Sequence, residues 1–110
     1  MHSVADELLA LHAGVCKGIA DPKRLLIINA LRDGERPVME LCEELQLPQA
    51  NVSQHLAVLR DRGLVLARRD AQRVFYSLTS DKITQAIDLL REVMAEQMQV
   101  DAEEPQAANS

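Results

Sequence analysis

Residues 40–60 read ELCEELQLPQANVSQHLAVLR, and this stretch decides the fold. Its apolar residues recur at helical spacing on both sides of the Leu47-Pro48 dipeptide, which interrupts the pattern. The pattern predicts a short helix over residues 38–45 and a second helix over residues 49–62. Two short helices around a tight turn are typical of a helix-turn-helix motif.

A hairpin is predicted directly after this motif. Gly63 fits the left-handed position that ends the second helix. Residues 64–69 and 73–78 have the pattern of two short strands, and residues 70–72 connect them. A hairpin in this place is the wing of a winged helix. The sequence therefore predicts a mainly α fold with a small β-hairpin wing, a winged helix-turn-helix.

Two further helices are predicted before the motif. Ser3 and the Asp21-Pro22 pair are typical helix starts, and they predict helices over residues 4–20 and 23–31. Residues 25–28 are all Leu or Ile, so this run is predicted to form the centre of the core.

The last helix carries a wide apolar stripe, formed by Ile83, Ile87, Leu90, Met94 and Met98. Little else in a chain of 110 residues is left to cover this stripe, so a second copy of the chain is expected to cover it. The helix is predicted to end near residue 100. Residues 1–100 would then form one winged helix and dimerisation domain, and the acidic residues 101–110 a disordered tail.

The composition indicates a cytoplasmic protein without a membrane partner. Residues 1–11 contain no Lys or Arg, unlike a signal peptide, and no apolar run approaches the length of about 20 residues that spans a bilayer. Two cysteines are too few for a secreted disulfide scaffold, so both are expected to be thiols in a reducing compartment.

The charge of the chain is unevenly distributed. The net charge is −5, yet residues 48–76 hold five arginines and only two acids, both aspartate. A local basic face is sufficient to attract the phosphates of double-stranded DNA, even on an acidic protein.

The predicted exposed face of the second motif helix is rich in amide and hydroxyl side chains, whereas a face that meets only solvent usually carries Glu and Lys. Gln and Asn can pair with adenine in the major groove, and Ser can bond a base edge or a phosphate. The arginines of the hairpin suit the backbone or the minor groove. Phe75 is predicted to point into the core. The candidate DNA contacts are Gln49, Asn51, Ser53, Gln54, His55, Arg60, Arg62, Arg68, Arg69, Arg73 and Tyr76.

Several motifs together resemble the ArsR/SmtB repressors, and particularly their redox- and sulfide-responsive branch. They are DPKRL at residues 21–25, ELCEELQL at 40–47, VSQHL at 52–56 and the wing RRDAQRVFYSL at 68–78. The resemblance covers roughly residues 15–95. It implies a homodimer paired through its first and last helices, a recognition helix over residues 49–62, and repression that an effector releases. Two-fold pairing in turn predicts a near-palindromic operator.

The known effector sites of this family are incomplete in the chain. Metal sensors that it resembles carry Cys-x-Cys after Glu-Leu, but here Cys42 is followed by Glu44 at the second position. Others use Asp and His ligands along the last helix, and no His follows His55. The cysteine pair of the redox branch is also missing. The sequence therefore specifies no cofactor.

Three residues remain as candidates for a metal or redox site: His12, Cys16 and Cys42. His12 and Cys16 are spaced i, i+4 on one helical face, which suits a thiophilic metal ion with a third ligand from His2 or a partner chain. A redox switch through Cys16, which responds to thiol oxidation or to a sulfur species, is a second hypothesis. The alternative is that Cys16 serves as an apolar residue and that Cys42 is a small buried hydrophobe.

Two other classes of function are alternatives to DNA binding. The runner-up is a winged helix that binds protein and not DNA. Such a domain would more often show an apolar or acidic exposed face, so the polar face predicted here favours DNA binding. An enzyme is not expected, because the sequence shows no paired acid/base carboxylates in a glycine-bearing loop, no phosphate-binding glycine-rich loop and no nucleophile motif.

Overall fold

The computed structural model describes residues 3–103, and it confirms the winged helix-turn-helix order. The elements are α1 (Val4–Leu11), a π-helix (His12–Cys16), α2 (Lys17–Ile19), α3 (Pro22–Ala30), β1 (Arg36–Pro37), α4 (Val38–Leu45), α5 (Gln49–Asp61), β2 (Val65–Asp70), β3 (Arg73–Leu78) and α6 (Lys82–Glu103).

Both predicted helix starts are confirmed by side-chain caps. The Ser3 hydroxyl accepts from the Asp6 N–H at 3.1 Å, and the Asp6 carboxylate accepts from the Ser3 N–H at 3.4 Å. The Asp21 carboxylate accepts from the N–H groups of Lys23 at 2.8 Å and Arg24 at 3.2 Å. Partial burial would raise the pKa of Asp21, but these backbone donors hold it below its ordinary value.

The first helical segment is interrupted, although the sequence predicts one helix over residues 4–20. Its middle turn, His12–Cys16, is a π-helix, in which one extra residue enters the helical turn. The guanidinium of Arg62, which follows α5, donates to the carbonyl of Ala13 inside this turn. The interruption therefore lies where a side chain from a distant part of the chain contacts the helix backbone.

The core lies between α3, α4, α5 and the base of the wing. Its buried residues are Ile27, Ile28, Leu31, Leu41, Cys42, Val52, Leu56, Leu59, Leu64 and Val65. The prediction that the whole run 25–28 is buried is wrong for its first two residues. Leu25 is 38% exposed and Leu26 is 52% exposed, because a helix of nine residues buries only one side against this core.

The sheet has three strands in the order β1-β3-β2, all antiparallel. The prediction missed β1, where Arg36 pairs with Tyr76 and Pro37 with Phe75. The wing turn is tighter than predicted, since the strands end at Asp70 and begin again at Arg73.

The predicted orientation of the two aromatic residues is wrong. Tyr76 packs against the core, whereas the Phe75 ring lies beneath the guanidinium groups of Arg68 and Arg73, with centroid distances of 4.7 and 5.1 Å. Adjacent strand residues point to opposite faces, so the pattern predicts that the two rings diverge but not which one faces the core.

The terminal helices extend away from this core. The radius of gyration is 17.2 Å, against about 13 Å expected for a compact chain of this length. Helix α6 runs to Glu103, three residues beyond the predicted end, and the remainder of the predicted tail lies outside the described residues. Within residues 3–103, no helix is both long and apolar enough to cross a membrane.

Candidate nucleic-acid interface

Helix α5 is fixed to the domain by its buried side, on which Val52, Leu56 and Leu59 are fully covered. The turn before it contains Gln46 in the left-handed conformation, with φ of 55°. Gly63 ends the helix with φ of 77°, as the sequence predicts. These contacts leave the opposite side of α5 facing outward.

The outward side of α5 carries Gln49, Ser53, Gln54 and Arg60, all exposed as predicted for DNA contacts. Asn51 is half-buried at the edge of this side. These side chains offer hydrogen-bond donors and acceptors along one face of the helix, the arrangement that reads base edges in a major groove.

Two alanines on the same side were not identified from the sequence. Ala50 and Ala57 are exposed and alternate with the polar residues of the face. Their small side chains let the helix backbone approach a surface closely, and an alanine methyl can contact the methyl group of thymine. The i, i+3, i+4 and i+7 spacing of Ala50, Ser53, Gln54 and Ala57 could have indicated them.

His55 lies on the flank of α5 and is turned toward α3. Its Nδ1 is 3.4 Å from Nη1 of Arg24. The same guanidinium donates through Nε to the Gly18 carbonyl at 2.6 Å and through Nη2 to the Lys17 carbonyl at 3.2 Å. Arg24 therefore connects the carbonyl end of α2 with the predicted DNA contact His55.

Arg62 is also engaged within the chain. It caps the carboxyl end of α5, and its guanidinium donates to Ala13 of the π-helix. This bond directs the guanidinium to the first helical segment, although the sequence assigns it to DNA.

Arg68 of the wing contacts two carboxylates and an aromatic ring. Its Nε and Nη2 donate to the two carboxylate oxygens of Glu35, each at 2.8 Å, and its Nη1 lies 3.8 Å from Asp70. These bonds lower the pKa of Glu35 and raise that of Arg68. The guanidinium also lies over Phe75, which holds it against the sheet.

Arg69 points to the other face of the wing. It lines a cleft of 490 Å³ with Arg60, Val74 and Tyr76, between the end of α5 and the hairpin. Within the described part of the chain, neither arginine forms an ion pair. The cleft therefore presents two positive charges beside the outward face of α5, and the Tyr76 side chain lies between the wing and this helix.

Arg73 begins β3 at the tip of the wing. Its guanidinium lies over the Phe75 ring, and among the described residues it too is without an ion pair. The wing tip thus retains one further positive charge that is exposed.

The three candidates for a metal or redox site lie in different surroundings. His12 is exposed and Cys16 is half-buried, at the two ends of the π-helix, whereas Cys42 belongs to the core. Both cysteines are free thiols. No group of three or more His, Cys, Asp or Glu side chains that could hold a metal ion occurs within the described residues, and His2 lies outside them.

Comparison with known proteins identifies the family. Residues 21–66 match the family described as bacterial regulatory protein, arsR family. The chain is 47% identical over 74 residues to the transcriptional activator HlyU of Vibrio cholerae, covering 67% of this chain and 68% of that protein. It is 42% identical over 74 residues to a biofilm growth-associated repressor of Agrobacterium fabrum, covering 67% and 63% of the two chains.

A solved structure with a similar fold is the homodimeric winged helix-turn-helix DNA-binding domain Mb0332 of Mycobacterium bovis. It has a TM-score of 0.76 and 28% identity, and the match covers 89% of this chain and 91% of that one. The match over both sequence and fold is consistent with the outward helix and wing described above. The chain belongs to the arsR family of bacterial regulatory proteins, and it is a transcriptional regulator and not an enzyme.

Proposed function

We propose that the chain is a homodimer that represses transcription by binding a near-palindromic operator in the bacterial cytoplasm. The observation that carries the DNA-binding part is the outward face of α5. It holds Gln49, Ser53, Gln54 and Arg60, and it is acid-free until Asp61. A duplex that accepts this face in its major groove meets no carboxylate along about three turns of base-reading side chains.

The wing supplies the backbone contacts in this proposal. Arg60 and Arg69 flank the cleft beside α5, and Arg73 lies at the tip of the hairpin. Cations in these places would neutralise phosphates on both sides of the groove that α5 occupies. Gln54, Ser53 and Gln49 would carry the sequence preference, and the arginines would carry the affinity that is independent of sequence.

The homodimer is supported by the apolar surface of the terminal helices. Val4, Leu8 and Leu9 of α1 are between 57% and 69% exposed. On α6 the exposed apolar residues are Leu89, Leu90, Val93, Met94 and Met98. Apolar surface of this extent usually marks a protein interface. A second copy that covers α1 and α6 by two-fold symmetry would present two copies of α5 about one turn of DNA apart.

The direction of regulation rests on the resemblance, because one relative is described as an activator and another as a repressor. The effector is proposed to act at a thiol. Cys16 is the more accessible of the two and is the last residue of the π-helix, whereas Cys42 is 9% exposed. We propose His12 and Cys16 as the place where a thiophilic metal ion or an oxidant acts.

The test is a fluorescence-anisotropy titration of reduced protein against labelled DNA from upstream of its own gene, with random DNA of equal length as the control. Specific binding at least about 1,000-fold tighter than binding to random DNA is expected for a regulator. Equal affinity for the two DNAs would contradict the proposal and would favour a winged helix that binds protein.

The same titration tests the effector. Oxidation or addition of Zn²⁺ should weaken specific binding of the wild type and of Cys42→Ala, but not of Cys16→Ala. A response that survives in Cys16→Ala would exclude this thiol as the sensor.

A further inference from the structure

The wing has two faces with different electrostatic character. Residues directly opposite each other on antiparallel strands share a face, so Arg69 lies with Val74 and Tyr76 on one side, and Arg68 lies with Phe75 on the other. The first face borders the outward side of α5. The second face carries the carboxylate of Glu35.

Glu35 reaches Arg68 from the opposite edge of the sheet. It lies in the turn after α3, immediately before β1, and the strand order places β3 between β1 and β2. The ion pair therefore spans the sheet above Phe75. Because the pair has two hydrogen bonds of 2.8 Å and an aromatic ring beneath it, the Arg68 guanidinium is held more firmly than in a single surface contact.

Arg69 differs in each of these respects. It is the next residue along β2, it points to the face beside α5, and it has no ion-pair partner within the described residues. A phosphate that approaches Arg69 meets a guanidinium that has no carboxylate partner within the described residues. A phosphate that approaches Arg68 meets the carboxylate of Glu35 within 3 Å of the same guanidinium.

We propose that Glu35 is a specificity-determining residue, which withholds Arg68 from DNA and leaves Arg69 as the β2 arginine that contacts phosphate. This inference rests on the proposed function. A cation that is already paired with a carboxylate gains little from a phosphate and releases few counterions from the DNA. Glu35 thereby limits binding that is independent of sequence, and the complex depends more strongly on the base contacts of α5.

The salt dependence of DNA binding measures the number of phosphate contacts directly. Each added contact steepens the slope of log K against log salt by about 0.9. We expect Glu35→Gln to steepen the slope by one contact, so that its affinity falls about threefold more than that of the wild type between 50 and 200 mM salt. Its affinity for random DNA at low salt should rise, and the ratio of specific to random binding should fall.

Two further variants test whether the change in the salt slope comes from Arg68. Arg68→Gln alone should leave the wild-type slope unchanged, and combined with Glu35→Gln it should restore that slope. Arg69→Gln should reduce the slope by about 0.9, since this arginine is proposed to contact phosphate. Circular dichroism and the thermal unfolding midpoint of each variant show whether the wing and the domain remain folded.

The possible outcomes distinguish a failure of this proposal from a failure of the proposed function. Specific binding by the wild type together with an unchanged or shallower slope for Glu35→Gln would overturn the role of Glu35 and leave the regulator intact. A shallower slope for Arg68→Gln would show that Arg68 contacts phosphate in the wild type, and this also overturns the proposal. Absence of specific binding by the wild type would instead contradict the proposed function itself.

Discussion

Arg32 and Asp88 form a two-pronged ion pair that attaches α6 to the turn after α3, with distances of 3.0 Å from Nη1 to Oδ2 and 2.9 Å from Nη2 to Oδ1. Asp88 also accepts from Arg91 at 3.1 Å. Beyond this point the apolar side chains of α6 are exposed. The pair therefore lies where α6 leaves the domain.

This ion pair predicts a dependence of stability on pH. The hydrogen bonds from Arg32, followed by that from Arg91, lower the pKa of Asp88 below its ordinary value of 3.8. A lowered carboxyl pKa contributes stability above the unfolded pKa, and this contribution is lost as the pH falls through the folded value. The difference in unfolding midpoint between the wild type and Asp88→Asn should therefore be constant from pH 7 to pH 5 and should shrink below pH 4. A difference that does not change with pH would contradict the role of the charged pair.

Two residues with positive φ should respond to substitution in opposite directions. Gly63 has φ of 77° and open space around it, so Gly63→Ala should destabilise the fold by roughly 1 kcal/mol through backbone strain alone. Ala71 has φ of 57° in the wing turn, so Ala71→Gly should stabilise it by about 0.5 kcal/mol. Urea unfolding of the two variants measures both values. Changes of the same sign would show that local backbone conformation does not determine these effects.

The dimer should dissociate when charge is placed on α6. Met94 is 58% exposed in the single chain and lies on the apolar stripe. Met94→Glu should weaken dimerisation about 100-fold or more, because the buried charge occurs twice in a two-fold interface. Met39→Glu is the matched control, since Met39 is similarly exposed, at 53%, but lies on α4. Sedimentation equilibrium distinguishes the two, and a dimeric Met94→Glu would place the interface elsewhere.

The close approach of α5 to DNA should depend on Ala57. Its side chain is exposed, so Ala57→Leu should leave the domain folded. The larger side chain should hold α5 away from the base edges and reduce specific affinity at least about tenfold, or about 1.4 kcal/mol. Ala57→Ser, which adds little volume, should bind within about twofold of the wild type by the same anisotropy assay. Equal affinity for all three proteins would show that this position does not face the duplex.

The sequence predicts most of the fold because the helical periodicity and the caps are local. Helix α4 has the predicted bounds, and α5 ends one residue earlier than predicted, with Arg62 as its cap. What it misses depends on contacts between distant residues. Strand β1 has two residues and pairs with β3, and the π-helix contacts Arg62, which is 49 positions away.

The candidate DNA interface was predictable as a set of residues but not as a geometry. Polar residues of α5 are exposed because they alternate with Val52, Leu56 and Leu59, and this spacing is visible in the sequence. The residues that pair with each arginine within the chain cannot be identified from this spacing. Nothing in the local pattern distinguishes Arg68, bound to Glu35, from its neighbour Arg69.

The bond from Arg62 to the π-helix has a consequence for the energetics of regulation. It joins the end of α5 to the segment that contains His12 and Cys16, so a change in the shape of that turn reaches α5 without an intermediary. Thermodynamic linkage requires such coupling to be reciprocal. Any ion that binds at this turn and lowers DNA affinity at equilibrium must itself bind less favourably, by the same factor, while the operator is occupied. The operator would then protect the regulator against its own effector.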